Sequence, residues 1–172
     1  MTESTSPTSP QQSTPQATDV AGAADTADTA SPPVTALRVD RVGTRRYVGT
    51  STRGGRVEIG SADVEGVFTP GELLKIALGA CSAMASDFTV SRRLGDDYDA
   101  TVHISGDADR ETERYPVLEE VYELDMSELD PATVERLVSM VQRSIDKACT
   151  VGRTLQAGTE IRLQIQTGHE TP

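Results

Sequence analysis

The 172-residue chain contains no tryptophan, two histidines, two cysteines and six aromatic side chains in all, four Tyr and two Phe. Cys81 and Cys149 are too few for the disulfide framework of a small secreted domain. The histidines, His103 and His169, show no paired ligand spacing, which argues against a zinc site, and no metal is expected. His103 falls in an alternating pattern and reads as an ordinary strand residue, and His169 lies among the last four residues. With so few rings there is little on which nucleic-acid bases could stack. Basic residues are scarce too: 16 Lys and Arg stand against 27 Asp and Glu, a net charge of −11 with no basic stripe. Such an acidic body argues against nucleic acid and against an anionic membrane as partners. The longest uninterrupted apolar run is too short to cross a bilayer. The N-terminal stretch lacks a basic n-region and an apolar h-region and is not Arg-rich. No secretory or mitochondrial address is expected, and the cytoplasm is the expected location.

Hydrophobic residues, at 36%, fall below the usual globular share. The deficit is local. In residues 1–33, Ser, Thr, Pro, Ala and Gly fill 24 of 33 positions, and the only charges are Glu3, Asp19, Asp25 and Asp28. Such a stretch buries too little apolar surface to offset its ordering entropy. Residues 1–34 are therefore expected to be a disordered tail, and 35–168 a single domain large enough for a real core.

Past the tail, Leu37, Val39 and Val42 mark one strand, Tyr47 and Val48 a second, and Val57 and Ile59 a third, with Arg53-Gly54-Gly55 as a tight turn. Thr69-Pro70-Gly71-Glu72 then fits a capping box: Thr69 as N-cap, Pro70 at the first helical position, Glu72 three residues after the cap. The run from Leu73 to Phe88 that follows is apolar on nearly every side, which predicts a helix buried centrally, between a sheet and something else. Two alternating strands follow, Tyr98 to Ser105 and Leu118 to Met126, separated by a charged loop over 107–116. Asp130-Pro131 opens a second helix, whose apolar positions Val134, Leu137, Val138, Val141 and Ile145 share one face. Cys149 sits just past its last turn, and Ile161, Leu163 and Ile165 alternate in a closing strand. The order is βββ-α-ββ-α-β, an α+β arrangement with two helices.

Each cysteine reads in two ways. Cys is among the most buried residue types, and Cys81 fits a small core residue of an apolar helix, as Cys149 fits a plain helix end. The alternative is a reactive thiolate, which needs a cation or a helix N-terminus to lower its pKa from about 8.5. Cys81 is mid-helix, so the cation must come from another segment, with Arg53, Arg45 and Arg46 as candidates. Cys149, at a helix C-terminus, meets partial negative charge that raises a thiol pKa. If the two act together, Cys81 is the attacker and Cys149 closes the disulfide.

Pro70-Gly71-Glu72-Leu73-Leu74 followed by Ala77-Leu78-Gly79-Ala80-Cys81 resembles the cysteine helix of the OsmC/Ohr family. The likeness extends over about residues 36–167. It takes in Val102 to Gly106, the Arg114-Tyr115-Pro116 step, the helix ending at Cys149 with Thr154-Leu155 after it, and Arg53-Gly54 at the place of the family's arginine. The resemblance implies an OsmC-like fold, antiparallel sheets wrapped around two central helices in an intertwined homodimer. It implies a thiol peroxidase that reduces organic hydroperoxides in oxidative-stress defence. Cys81 would become a sulfenic acid, Cys149 would condense with it into a disulfide, a dithiol reductant would reopen the bond, and no metal or flavin would take part. Leu74, Leu78, Met84 and Phe88 would offer either an apolar wall for an alkyl chain or ordinary core packing.

One departure stands out. In the hydroperoxide branch the site glutamate directly follows the proline, where this chain has Gly71. Glu72, nine residues before Cys81, points to the opposite side of the helix at about 100° per residue. Glu72 is either a site carboxylate or only the capping partner. The candidate site is thus Cys81, Cys149, Arg53 and Glu72. The competing functions are a hydroperoxide reductase, a non-catalytic dimeric module for a small ligand, and a redox sensor whose disulfide alters partner binding.

Overall fold

The computed structural model describes residues 36–158 and 160–167, all within the unit of the chain that begins at Thr35. The expected disordered tail and His169 lie outside the described residues.

The first three strands are β1 (Leu37–Gly43), β2 (Arg46–Ser51) and β3 (Arg56–Ile59), and they form an antiparallel sheet in that order. The β2–β3 turn closes through the Ser51 amide donating to the Gly55 carbonyl at 2.9 Å. Gly54 takes a φ of 88° there, a conformation that costs a residue with a Cβ. Of the large apolar side chains in this sheet only Val48 is buried, while Leu37, Val39 and Val42 are 79%, 62% and 58% exposed. The sheet takes no part in the hydrophobic core cluster.

Helix α1 spans Pro70–Leu94. Its capping box is complete: the Glu72 amide donates to Thr69 Oγ1 at 3.2 Å, and the Thr69 amide donates to Glu72 Oε2 at 2.6 Å. Strands β4 (Ala100–Ser105) and β5 (Val117–Leu124) pair antiparallel; helix α2 (Pro131–Ala148), capped by Asp130, and a short helix α3 (Thr150–Gln156) lead to β6 (Glu160–Gln166). β6 pairs with β5 in parallel, so this second sheet is mixed rather than antiparallel throughout. The reason is the crossover: α2 and α3 carry the chain back to the end where β5 began, and a strand returning that way must run parallel.

The core lies between α1, α2 and the β4–β6 sheet. Leu78 and Val90 of α1 meet Leu118, Tyr122 and Leu124 of β5 and Leu137, Val141 and Ile145 of α2, all buried. Gly79 admits this packing, because a Cβ there would run into the Ile104 side chain. The central burial expected of α1 is met on one face only, that of Leu78, Gly79, Ser82, Ser86 and Val90. Ile76, Met84 and Phe88 on the other side are 45%, 79% and 70% exposed. Among the described residues, the sheet and α2 cover one face of α1 and nothing covers the opposite one. By length and composition this 25-residue helix could cross a membrane, unlike the shorter uninterrupted run. A sheet-packed core helix of a soluble protein meets the same criterion.

Candidate functional site

Three elements meet at the cysteines. Cys81 stands on α1, one position before the buried Ser82 and in line with the exposed stripe of Ala77, Met84 and Phe88; it is half-buried and reduced. Cys149 is 2% exposed and also reduced. The two thiols are near enough for Cys81 to raise the Cys149 pKa, and Ser82 Oγ sits 3.7 Å from Cys149 Sγ.

Cys149 occupies the joint between two helices. It is the C-cap of α2, as its sequence position suggested, and at once the N-cap of α3, with the Gly152 amide donating to its sulfur at 3.2 Å. That hydrogen bond favours a thiolate. Burial outweighs it and, together with the contact to Cys81, pushes the Cys149 thiol up from its ordinary value. The direction matches the helix-end reading, but the main cause is desolvation.

The other two expected site residues stand apart from the cysteines within one chain. Arg53 is exposed in the β2–β3 turn, and its side chain makes no hydrogen bond or ion pair among the described residues. Of the alternative cations, Arg45 is engaged with Ser61, its Nε donating to Oγ at 2.8 Å. Glu72 is exposed at the start of α1, where its hydrogen bonds to Thr69 hold its carboxyl below the ordinary range. Gly71, which stands where the hydroperoxide branch has glutamate, lies beneath Tyr115: a Cβ built there would strike the phenol oxygen. Tyr115 is held in place by Lys75, whose ammonium lies 5.0 Å from the ring centre. The expected apolar wall divides, with Leu78 entirely in the core and Met84 and Phe88 on the uncovered face.

Two residues that sequence reasoning passed over complete the site. Cys149 lines a cavity of about 80 Å³ with Ser82, Glu120, Gln142, Asp146 and Arg153. Glu120 is 1% exposed, and its Oε1 has no hydrogen-bond partner. Burial raises its pKa above the usual 4.5, opposed only by the nearby Ser82 hydroxyl. A signal existed in the sequence: Glu120 breaks the inward phase Leu118, Tyr122, Leu124 of an alternating strand.

Fold and site together define an α+β protein with two neighbouring reduced cysteines, one of them at the edge of a helix face that is apolar and exposed among the described residues. Residues 62–164 match the family model described as OsmC-like protein. The chain belongs to the OsmC-like family. It is 60% identical over 132 residues to uncharacterized proteins of Mycobacterium bovis and Mycobacterium tuberculosis, covering 77% of this chain and 96% of each relative. Among solved structures, an OsmC-like protein from Mycoplasma pneumoniae superposes with a TM-score of 0.64 at 10% identity, over 78% of this chain and 97% of that one. The organic hydroperoxide resistance protein OhrB of Bacillus subtilis gives 0.51 at 16% identity, over 76% and 98%. At such identities these likenesses speak for the fold.

Proposed function

We propose that this chain is a two-cysteine thiol peroxidase that reduces organic hydroperoxides in the cytoplasm, working as a homodimer. The observation that carries the reading is the proximity of the reduced thiols of Cys81 and Cys149, one at the edge of an apolar face and the other buried. In the first step the Cys81 thiolate attacks the distal oxygen of the hydroperoxide. The O–O bond breaks, the alkoxide leaves and takes up a proton as the alcohol, and Cys81 becomes a sulfenic acid. In the second, Cys149 attacks the Cys81 sulfur, the S–O bond breaks, and water leaves as the disulfide forms. A dithiol reductant then returns both thiols. The exposed Met84 and Phe88 suit an alkyl chain beside Cys81. Arg53 does not meet Cys81 within one chain, so the cation comes from the turn of a second copy. The alternative, a dimeric small-ligand-binding module, draws on one observation: Tyr115 fills the space over Gly71 where the hydroperoxide branch carries its glutamate.

The test is a thiol count after adding tert-butyl hydroperoxide to the reduced protein. Loss of both thiols together with no intermolecular bond is the expected result. Unreacted thiols would favour the binding module. Turnover with a dithiol reductant separates a peroxidase from a redox sensor, which oxidises once and stops.

A further inference from the structure

The second step of the proposed cycle must carry one proton from the Cys149 thiol to the departing hydroxide. Cys149 is a buried, neutral thiol, and it must lose its proton before its sulfur can attack the sulfenic acid of Cys81. The polar and charged groups that share its cavity are Ser82 of α1, Glu120 of β5, Gln142 and Asp146 of α2, and Arg153 of α3. Arg153 and Gln142 cannot accept a proton under these conditions. Asp146 is exposed, and its Oδ1 accepts from the Gln142 side chain at 3.1 Å. Glu120 remains. The neighbours that pair with it in the sheet, Ile104 on β4 and Leu163 on β6, are both apolar. No ion pair engages it among the described residues, and one of its oxygens is unpartnered. The charged Glu119 and Glu123 alternate to the opposite face of the strand.

Resting on the peroxidase reading, we propose that Glu120 accepts the Cys149 proton through the Ser82 hydroxyl when the Cys81–Cys149 disulfide closes. Ser82 is placed for the relay: its oxygen is 3.7 Å from Cys149 Sγ, and its hydroxyl also neighbours the Glu120 carboxyl. Ser82 takes the thiol proton and passes its own to the Glu120 carboxylate. The Cys149 thiolate attacks Cys81 sulfur, and the S–O electron pair departs with the hydroxide. Glu120 then gives its proton back through the Ser82 hydroxyl to the hydroxide released from Cys81, which leaves as water, so the carboxylate is regenerated with each closure. A carboxyl whose pKa burial raises above the ordinary value is a stronger proton acceptor for this transfer than an exposed one. Glu120 acts through Ser82 and is a positioning residue rather than one that touches the reacting sulfurs.

The experiment uses the full chain, reduced, in rapid-quench mixing with tert-butyl hydroperoxide. Dimedone labelling reports the Cys81 sulfenic acid, and mass spectrometry reports the disulfide. Glu120→Gln should slow closure by about a hundredfold relative to the peroxide step, with labelled Cys81 accumulating although Cys149 is present. Wild-type closure should slow on acidification through an inflection below the thiol's own titration. In Glu120→Gln that inflection should vanish, leaving only the alkaline rise of the unaided thiol, and loss of packing alone would not remove it. Ser82→Ala should give the same selective slowing and carries the test if Glu120→Gln fails to fold. Closure at the wild-type rate with the inflection intact, in either variant, overturns the relay while the peroxidase reading stands. Wild-type thiols untouched by peroxide overturn both.

Discussion

Glu120 holds a place in β5 that strand alternation reserves for an apolar side chain, and this has a consequence for stability as well as chemistry. Its folded pKa is raised above 4.5 by burial, so in the unfolded chain it ionises more readily. As pH climbs above about 4.5, the unfolded state releases its proton first and the folded state loses ground, until the folded group ionises in turn. Glu120→Gln is neutral throughout and escapes this loss. It should be more stable than wild type at pH 7, by of the order of 1–3 kcal/mol for an unpaired buried charge, with the advantage fading toward pH 4. Thermal melts of the two proteins across pH check this, and an advantage that grows in acid would contradict it. At this scale the sequence was legible where chemistry names itself. Both cysteines stood out by residue type, whereas Arg53 was one of three candidate arginines until the family resemblance singled it out, and the missing glutamate at Gly71 was visible only through that resemblance. What fills the space over Gly71 could not be read, since Tyr115 arrives from a segment 44 positions away in the chain.

Elements were readable where their end signals are local. Thr69, Pro70 and Glu72 announced the start of α1, and Asp130-Pro131 that of α2, because capping depends on residues within one turn. Helix α3 gave no such notice: seven residues with Gly152 among them show too little periodicity, and a thiol is not a usual N-cap. The parallel pairing of β6 was equally hidden, since strand alternation is the same in either direction. The cap of α1 also separates the two roles open to Glu72. Thr69→Ala should cost about 1 kcal/mol of stability. Because hydrogen bonds from Thr69 lower the Glu72 pKa, its contribution is present above the unfolded value of 4.5 and is lost as pH falls through the folded value. Glu72→Gln keeps an acceptor for the Thr69 amide and should remove only this acid-range dependence, measured by denaturant unfolding at pH 3 to 7. A slowed Cys81 oxidation in Glu72→Gln, with unchanged stability, would instead return Glu72 to the site.

At the scale of the whole molecule, two apolar surfaces have no cover among the described residues: the Ile76, Met84 and Phe88 side of α1, and Leu37 and Val39 of β1. Exposed apolar surface of this kind is suited to an interface, and a two-fold pair would bury both surfaces by laying the β1–β3 sheet of one copy against α1 of the other. Cys81 lies along the edge of the same helix face, so such a pairing would also roof the site and bring in the β2–β3 turn that carries Arg53. Light scattering at micromolar concentration should give twice the chain mass, and Phe88→Asp should lower it; a wild-type monomer would dismiss the arrangement. Subunit mixing tests the shared site directly. Arg53→Ala and Cys81→Ser should each be poor in fast peroxide consumption as homodimers. Co-refolded together, they form a mixed dimer in which the intact Cys81 of one copy faces the intact Arg53 of the other. Fast oxidation should then reappear in a fraction of the sites. If mixing restores nothing while the mixed dimer demonstrably forms, Arg53 does not serve Cys81 across the interface, and the thiolate must find its cation elsewhere.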